Sequence, residues 1–474
     1  ALPISMLSRS VVLLLFLACL VLSEAEYDSS SKGSDPVYDH QTTTYYASFK
    51  PASDEISGEM DIYFSPDTSL QTIVDLIESA QSSIDIMTPA WASWIGCTDW
   101  DTDVTIGCSV EVQKYNETFP VWRATLNALA RGVKVRIVSN NQGYPVKQGN
   151  IDPFSYLILA GAEIHYFTSV TFMHAKYICI DHKVTSVSSI NFSKTSLTKN
   201  REAGFILRPD DGSDNTLIQF MQDVFEYDFS HGPSFTVNQN YSQSDMNLIL
   251  NRSHLDVVVP APIDFKDSYV TKYYTVKSSS IPLEVIISPD FAYQTISDKL
   301  SAVKDSFSLY IYQVTGPEFC DQLLDLHKRD ISLKFLFSRT IFSHGDYEKA
   351  QTCYKQLYDA GVKEMKITAP HMYTYSHQKY WIIDEGTSTA AAGLSTGNWG
   401  MTDYPEGDNA FPVYASSAWR RCNRDFTIFS THDTVISTMQ TVFDEDYERG
   451  EYYHPYSNPI VLAPVDAEME QLAW

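Results

Sequence analysis

The feature that most constrains this chain is that it repeats itself. The stretches "MDIYFSPDTSLQTIVDLIESAQSSIDIMTPAW" (60–91) and "LEVIISPDFAYQTISDKLSAVKDSFSLYIYQV" (283–314) both read strand, amphipathic helix, strand. Both place Ser-Pro-Asp directly after the first strand, as Ser65-Pro66-Asp67 and Ser288-Pro289-Asp290. Downstream, "RATLNALARGVKVRIVSNN" pairs with "DQLLDLHKRDISLKFLFSR", each a helix feeding a strand. The halves also close alike, with "TLIQFMQDVFEYDFSHG" (216–232) against "TVISTMQTVFDEDYERG" (434–450). Agreement at start, middle and end, in one order, predicts an α/β chain of two duplicated domains related by a pseudo-twofold axis. The expected boundaries are 55–235 and 280–455, with a linker at 236–279 and a tail at 456–474; 474 residues accommodate two such domains.

Each half carries one polar constellation on an apolar background. In "TFMHAKYICID" it is His174, Lys176 and Asp181; in "YSHQKYWIID" it is His377, Lys379 and Asp384. Each set is followed by a Ser/Thr-x-Asn element ("SSIN", ending at Asn191, and "STGN", ending at Asn398) and then by Asn-Arg-acid, which brings Glu202 and Asp425. A lone His-x-Lys is expected by chance in a chain of this size, whereas two such ordered sets are not.

The residue types state a chemistry. On a strand, positions i and i+2 share a face, so each His and its Lys point into one site. Two imidazoles, two ammonium groups and two amides suit a phosphodiester. Lys176, Lys379, Asn191 and Asn398 hold the non-bridging oxygens and favour the charge of the transition state. One neutral imidazole attacks phosphorus and the other, protonated, supplies a proton to the leaving oxygen. Glu202 and Asp425 are expected to accept the Nδ1–H of the histidines, Glu202 serving His174 and Asp425 serving His377. No metal or other cofactor is called for.

These residues resemble the phospholipase D superfamily, whose signature is His-x-Lys-(x)4-Asp-(x)6-Gly-Ser/Thr-x-Asn. The first repeat fits the spacing without a gap; the second has ten residues between Asp384 and Ser395, and Ser188 and Ser395 stand where the family usually has Gly. The resemblance implies two mixed sheets flanked by helices with one active site between them. It implies catalytic roles for His174, Lys176, Asp181, His377, Lys379 and Asp384, and phosphate contacts from Ser189, Asn191, Thr396 and Asn398. It further implies that the N-terminal histidine, His174, is the nucleophile and His377 the acid, and that the sequon at Asn191 lies buried in the site.

Composition limits the partners. With 34 Lys and Arg against 59 Asp and Glu, the net charge is −25, so bulk electrostatics cannot hold nucleic acid or an anionic lipid surface. Phosphate chemistry then requires a local positive pocket. Arg9 precedes the apolar run "VVLLLFLACLVL", followed by small residues at Ser23 and Ala25, which predicts a signal peptide over 1–25 and a secreted or lysosomal/vacuolar destination. A flexible Ser-rich segment (26–54) follows, and no membrane span is expected in the mature chain. Passage through an oxidising compartment makes Cys97 and Cys108 a candidate disulfide. Cys320 and Cys353 are a further candidate pair among fifteen connectivities. Two long loops, Trp91 to Pro120 and the stretch from Asn398 to Asn423 with Arg420-Arg421, are candidates for an acyl groove or a base-stacking platform. The expected substrate is a phospholipid, met in transient contact with a membrane surface. The alternatives are single-stranded nucleic acid, cleaved by an acid exonuclease, and a non-catalytic binding protein.

Overall fold

Runs of β-branched and aromatic residues in both halves build strands that join one mixed sheet. The structure, a computed structural model, describes residues 49–91, 108–109, 119–140, 150–211, 216–237, 240–250, 256–261, 270–405 and 422–463. The signal segment 1–25, the Cys97–Cys108 pairing, most of the loop from Trp91 to Pro120, and Arg420-Arg421 lie outside the described residues. The described residues belong to one compact unit.

The first half supplies β1 (Ala52–Ser65), β2 (Ser83–Met87), β3 (Lys134–Ser139), β4 (Glu163–Tyr166), β5 (Tyr177–Ile180), β6 (Val184–Ser188) and β7 (Glu202–Pro209). The second supplies β8 (Tyr274–Ser288), β9 (Ser306–Ile311), β10 (Ser332–Phe337), β11 (Met365–Ile367), β12 (Lys379–Ile383), β13 (Ala391–Ser395) and β14 (Asn423–Ser430). The two central strands, β1 and β8, pair antiparallel from Ala52↔Val285 to Ile62↔Tyr274. Outward from β1 the order is β7, β6, β5, β2, β3, β4; outward from β8 it is β14, β13, β12, β9, β10, β11, and the short strand Glu451–Tyr452 adds to that second edge alone among the described residues. The order of elements is therefore the same in both directions. The expected linker contributes more than a connection, since helix Gln243–Leu250 and the first residues of β8 lie within it.

Strand periodicity sorts the side chains into separate cores. Ile62, Phe64, Phe205 and Leu207 face a core that also takes Val285, Ile287, Phe426 and Ile428. Over it lie Val224 and Phe225 of helix Thr216–His231 and Met439 and Phe443 of helix Asp433–Arg449. Alternate residues turn the other way: Tyr63 and Ile206 pack on the first half's own helices, and Ile286 and Phe429 on the second's. Cys320 and Cys353 form a disulfide within this second outer core, whereas Cys179 and Cys422 are free and buried.

The site end of the sheet is where β1 and β8 finish and β7 and β14 begin, with Ser65 opposite Glu202 and Ser288 opposite Asp425. There the halves exchange backbone partners. Phe172 and Met173 pair in parallel with Asn423 and Arg424, and Ser376 bridges to Arg201. Each His-x-Lys segment is thus seated on the Asn-Arg-acid strand of the other half.

Candidate active site

That exchange decides which carboxylate meets which histidine. His174 N–H donates to the Arg424 carbonyl at 3.1 Å, and His377 N–H donates to the Arg201 carbonyl at 2.8 Å. The imidazoles follow their backbones. His174 Nδ1 lies 2.9 Å from Asp425 Oδ1, and His377 Nδ1 lies 2.9 Å from Glu202 Oε2. This corrects the expectation that each histidine pairs within its own half. Adjacency in sequence suggested the pairing, but the parallel strand contacts across the halves override it. An acidic acceptor on each Nδ1 leaves both Nε2 atoms as the reactive positions.

The carboxylates are themselves held. Ser189 Oγ donates to Glu202 Oε2 at 2.7 Å and Asn200 Nδ2 to Oε1 at 3.2 Å. On the other side Thr396 Oγ1 donates to Asp425 Oδ1 at 2.6 Å. Ser189 and Thr396 were expected to contact phosphate; instead their hydroxyls are committed to the carboxylates that orient the histidines. Asn191 and Asn398 differ. The Oδ1 of each is buried and accepts no hydrogen bond from the described residues. A buried carbonyl oxygen without a donor is a group that a donating ligand could satisfy.

The lysines are buried beside them. Lys176 Nζ donates to the carbonyls of His174 (2.6 Å) and Thr396 (3.2 Å), and Lys379 Nζ donates to the His377 carbonyl at 2.8 Å. Burial pulls Lys176 down to about 8, against the opposing pull of Asp425, Glu202 and Asp403. Burial pushes Glu202 up to about 7 despite Lys379. His377 is driven well below the usual imidazole range, first by burial and then by Lys379 and Lys176. Asp425 keeps its charge: burial works upward, but His174, Lys176 and Thr396 outweigh it.

Asp181 and Asp384, expected to be catalytic, are not in the site. Five residues of strand beyond each Lys span about 16 Å, so both lie at the far end of β5 and β12. There Asp181 accepts the backbone N–H groups of Gln81, Ser82 and Ser83, at a positive φ of 52°. Asp384 does the same for Lys304, Asp305 and Ser306, at φ 49°. Their work is to fasten a turn. The motif keeps its spacing because one strand length separates the chemistry from this fastening.

Several site residues carried no role in the sequence reading. Asp403 Oδ1 lies 3.2 Å from His174 Nδ1 and is 3% exposed. Arg201 and Arg424, fully buried, clamp the halves together: Arg201 binds Asp446 at 2.8 Å and Asp67 at 3.1 Å, and Arg424 binds Asp228 at 2.8 Å. Arg424 also donates to the Ser288 carbonyl at 3.1 Å. The repeated Asn-Arg-acid and Ser-Pro-Asp triplets were the available signal for these clamps. Of the loop aromatics read as possible groove walls, Trp91 and Trp399 pack inward. Trp91 meets Trp122 and Phe192 edge to face, and Trp399 stacks on Phe307 and Phe319.

Among the described residues two clusters bring His and acidic groups within reach of a shared cation: Asp85–His182–Glu226 and His174–Asp403–Asp425. Positive groups of the chain already serve both. Arg136 bridges Asp85 and Glu226 at 2.7 and 2.6 Å. In the second cluster the Nδ1–H of His174 lies between the two aspartates, with Lys176 beside them.

Residues 73–229 match the family model described as "Cardiolipin synthase, PLD-like domain". The fold is similar to that of phosphatidylserine synthase from Haemophilus influenzae, with a TM-score of 0.52 and 10% identity over 84% of this chain and 88% of that one. Nuc from Salmonella typhimurium, a phospholipase D family member, is 19% identical over 39% of this chain and 99% of its own, with a TM-score of 0.27. Polyphosphate kinase from Porphyromonas gingivalis covers 87% of this chain and 54% of its own at 11% identity, with a TM-score of 0.48. No curated protein sequence matches significantly. Together the family model over residues 73–229 and the doubled His-x-Lys motif support membership of the phospholipase D superfamily.

Proposed function

We propose that the chain is a phosphodiesterase that hydrolyses phospholipid phosphodiester bonds through a phosphohistidine, at a single site to which both repeats contribute. The observation that carries this reading is the crossed pair of histidines. Each imidazole has its Nδ1 on a buried carboxylate of the other half, 2.9 Å away, and a buried lysine two residues on. Such a pair presents two Nε2 atoms, one for attack and one for proton transfer, and the lysines and asparagines supply the charge and donors that phosphate oxygens need. The Cys320–Cys353 disulfide supports the expected secretory route, since such bonds persist in oxidising compartments. The charge of −25 favours a lipid carrying a single phosphate over a polyanion.

The test offers phosphatidylcholine vesicles with a primary alcohol, and separately a single-stranded oligonucleotide, from about pH 4 to about pH 8. A covalent intermediate partitions between water and the alcohol, so phosphatidic acid and a phosphatidyl alcohol should both form. Cleavage of the oligonucleotide alone would transfer the same chemistry to nucleic acid. Turnover of neither would overturn the reading.

A further inference from the structure

The strand that ends beside His377 runs on into a side chain with no polar counterpart in the first half. After β9, Tyr312 N–H donates to the Gln378 carbonyl at 2.9 Å, and the Tyr312 ring centre stands 4.9 Å from that of His377. Val314 bridges to Trp399, the residue after Asn398. Gln313 therefore lies between contacts to the two motif segments of this half. In the first half Trp91 bridges to Phe192 as Val314 does to Trp399, which puts Ala90 where Gln313 stands. One half offers a methyl group there, the other an amide.

Gln313 is 6% exposed, its Nε2 donates to Asp346 Oδ2 at 3.2 Å, and its buried Oε1 has no donor among the described residues. The Asp346 carboxylate fixes the amide's orientation, since an oxygen turned toward it would be repelled. An acceptor left unmet in this way is unfavourable and points to a donor brought from outside. Asp346 lies in the first turn of helix His344–Asp359, with its side chain 35% exposed and its ion partner, the exposed Lys349, 3.8 Å away. Asp403 stands on the same side: a Cβ at Gly400 would lie 2.8 Å from Thr315 Oγ1 and 2.9 Å from Asp403 Oδ2. Burial pushes the Asp346 carboxyl upward and the charge of Asp403 adds to it, while Lys349 and Gln313 oppose both. Asp403 follows Asn398 by five positions as Ser196 follows Asn191, so here too a polar feature of this half meets a chemically different residue in the other. Acceptors and negative charge gather on this flank, apart from the lysines that suit the phosphate.

We propose that Gln313 and Asp346 form a headgroup subsite that takes a primary ammonium group, so that phosphatidylethanolamine is cleaved in preference to phosphatidylcholine. This rests on the phospholipid reading above, with His377 at the leaving oxygen. A primary ammonium brings N–H donors for Gln313 Oε1 and the Asp346 carboxylate, and a charge that Asp346 balances. The trimethylammonium of choline has the same charge but no donor, and leaves Gln313 Oε1 unmet.

Mixed detergent micelles carrying phosphatidylethanolamine, its N-methyl and N,N-dimethyl derivatives, or phosphatidylcholine remove the donors one at a time at constant charge. Wild-type kcat/KM for headgroup release should fall along that series, by about 10- to 100-fold from first to last. Gln313→Ala, which gives this half the residue of the other, and Asp346→Asn should each bring the two ends to within about threefold of one another. A merely structural role would lower all of these lipids alike and keep their ratio. Thermal melting checks that each variant folds, and the wild-type series needs no variant. Equal turnover along the series by the wild type, or an unchanged ratio in either variant, would overturn the subsite while leaving the phospholipid reading intact. Cleavage of a single-stranded oligonucleotide and of none of these lipids would remove that reading, and the proposal with it.

Discussion

Arg201 and Arg424 are held almost identically, whereas Ser196 and Asp403, at matching positions of the two halves, are chemically unlike. Each arginine grips an aspartate of the opposite half's closing helix with Nε at 2.8 Å and a terminal nitrogen at 3.1 Å. The repetition has therefore been kept where it holds the halves together and relaxed beside the histidines. A symmetric pair of histidines would share one proton affinity, and attack and protonation demand different ones.

The largest expected effect tests whether both halves are needed. His174→Ala and His377→Ala should each lower kcat on a substrate with an unactivated leaving group by about 10⁴-fold or more, with unchanged melting. Near-normal turnover in either variant would break the shared-site reading. Next come the clamps. Arg201→Ala and Arg424→Ala each strand buried carboxylates and should cost about 3–5 kcal/mol apiece, read by denaturant unfolding. A difference between them larger than about 1 kcal/mol would show that the scaffold is less symmetric than its hydrogen bonds.

Glu202 sharpens the contrast through pH. Burial raises it from 4.5 to about 7, so between those values the folded chain holds a proton that the unfolded chain has lost. Stability is then fullest below about pH 4.5 on this account and falls as the pH rises through about 7, by about 3 kcal/mol in all. Glu202→Gln should flatten that decline in melts taken across the range; a wild-type profile rising over the same interval would contradict it. A smaller effect is expected from the hydroxyls. Ser189→Ala and Thr396→Val each remove one charge-assisted hydrogen bond and should slow turnover by about tenfold, or about 1.4 kcal/mol, equally in the two halves. The smallest is none at all: millimolar EDTA should leave the rate unchanged, and loss restored by a divalent cation would show that lysine and histidine do not carry the electrostatics.

The repetition, the strand-helix-strand order and the histidines, lysines and asparagines were all legible in the sequence, because each is written as a local pattern of period or spacing. The pairing of carboxylate with histidine was not. It depends on Met173 lying beside Arg424 and Ser376 beside Arg201, contacts between segments far apart in the chain. Asp181 and Asp384 misled for the opposite reason, since their regular spacing reports a strand length and a turn. Asp403 sits in an unrepeated stretch, where no second copy marked it out.

The crossed partnership has a consequence for inheritance. The hydrogen-bonded pairs His174–Asp425 and Glu202–His377 span 251 and 175 residues. A crossover between two related genes within 236–279 would draw each histidine from one parent and its carboxylate from the other. Neither reacting unit passes intact to such a recombinant. For selection, each pair behaves as one locus divided between two distant stretches of the gene, and the halves are free to drift only in step.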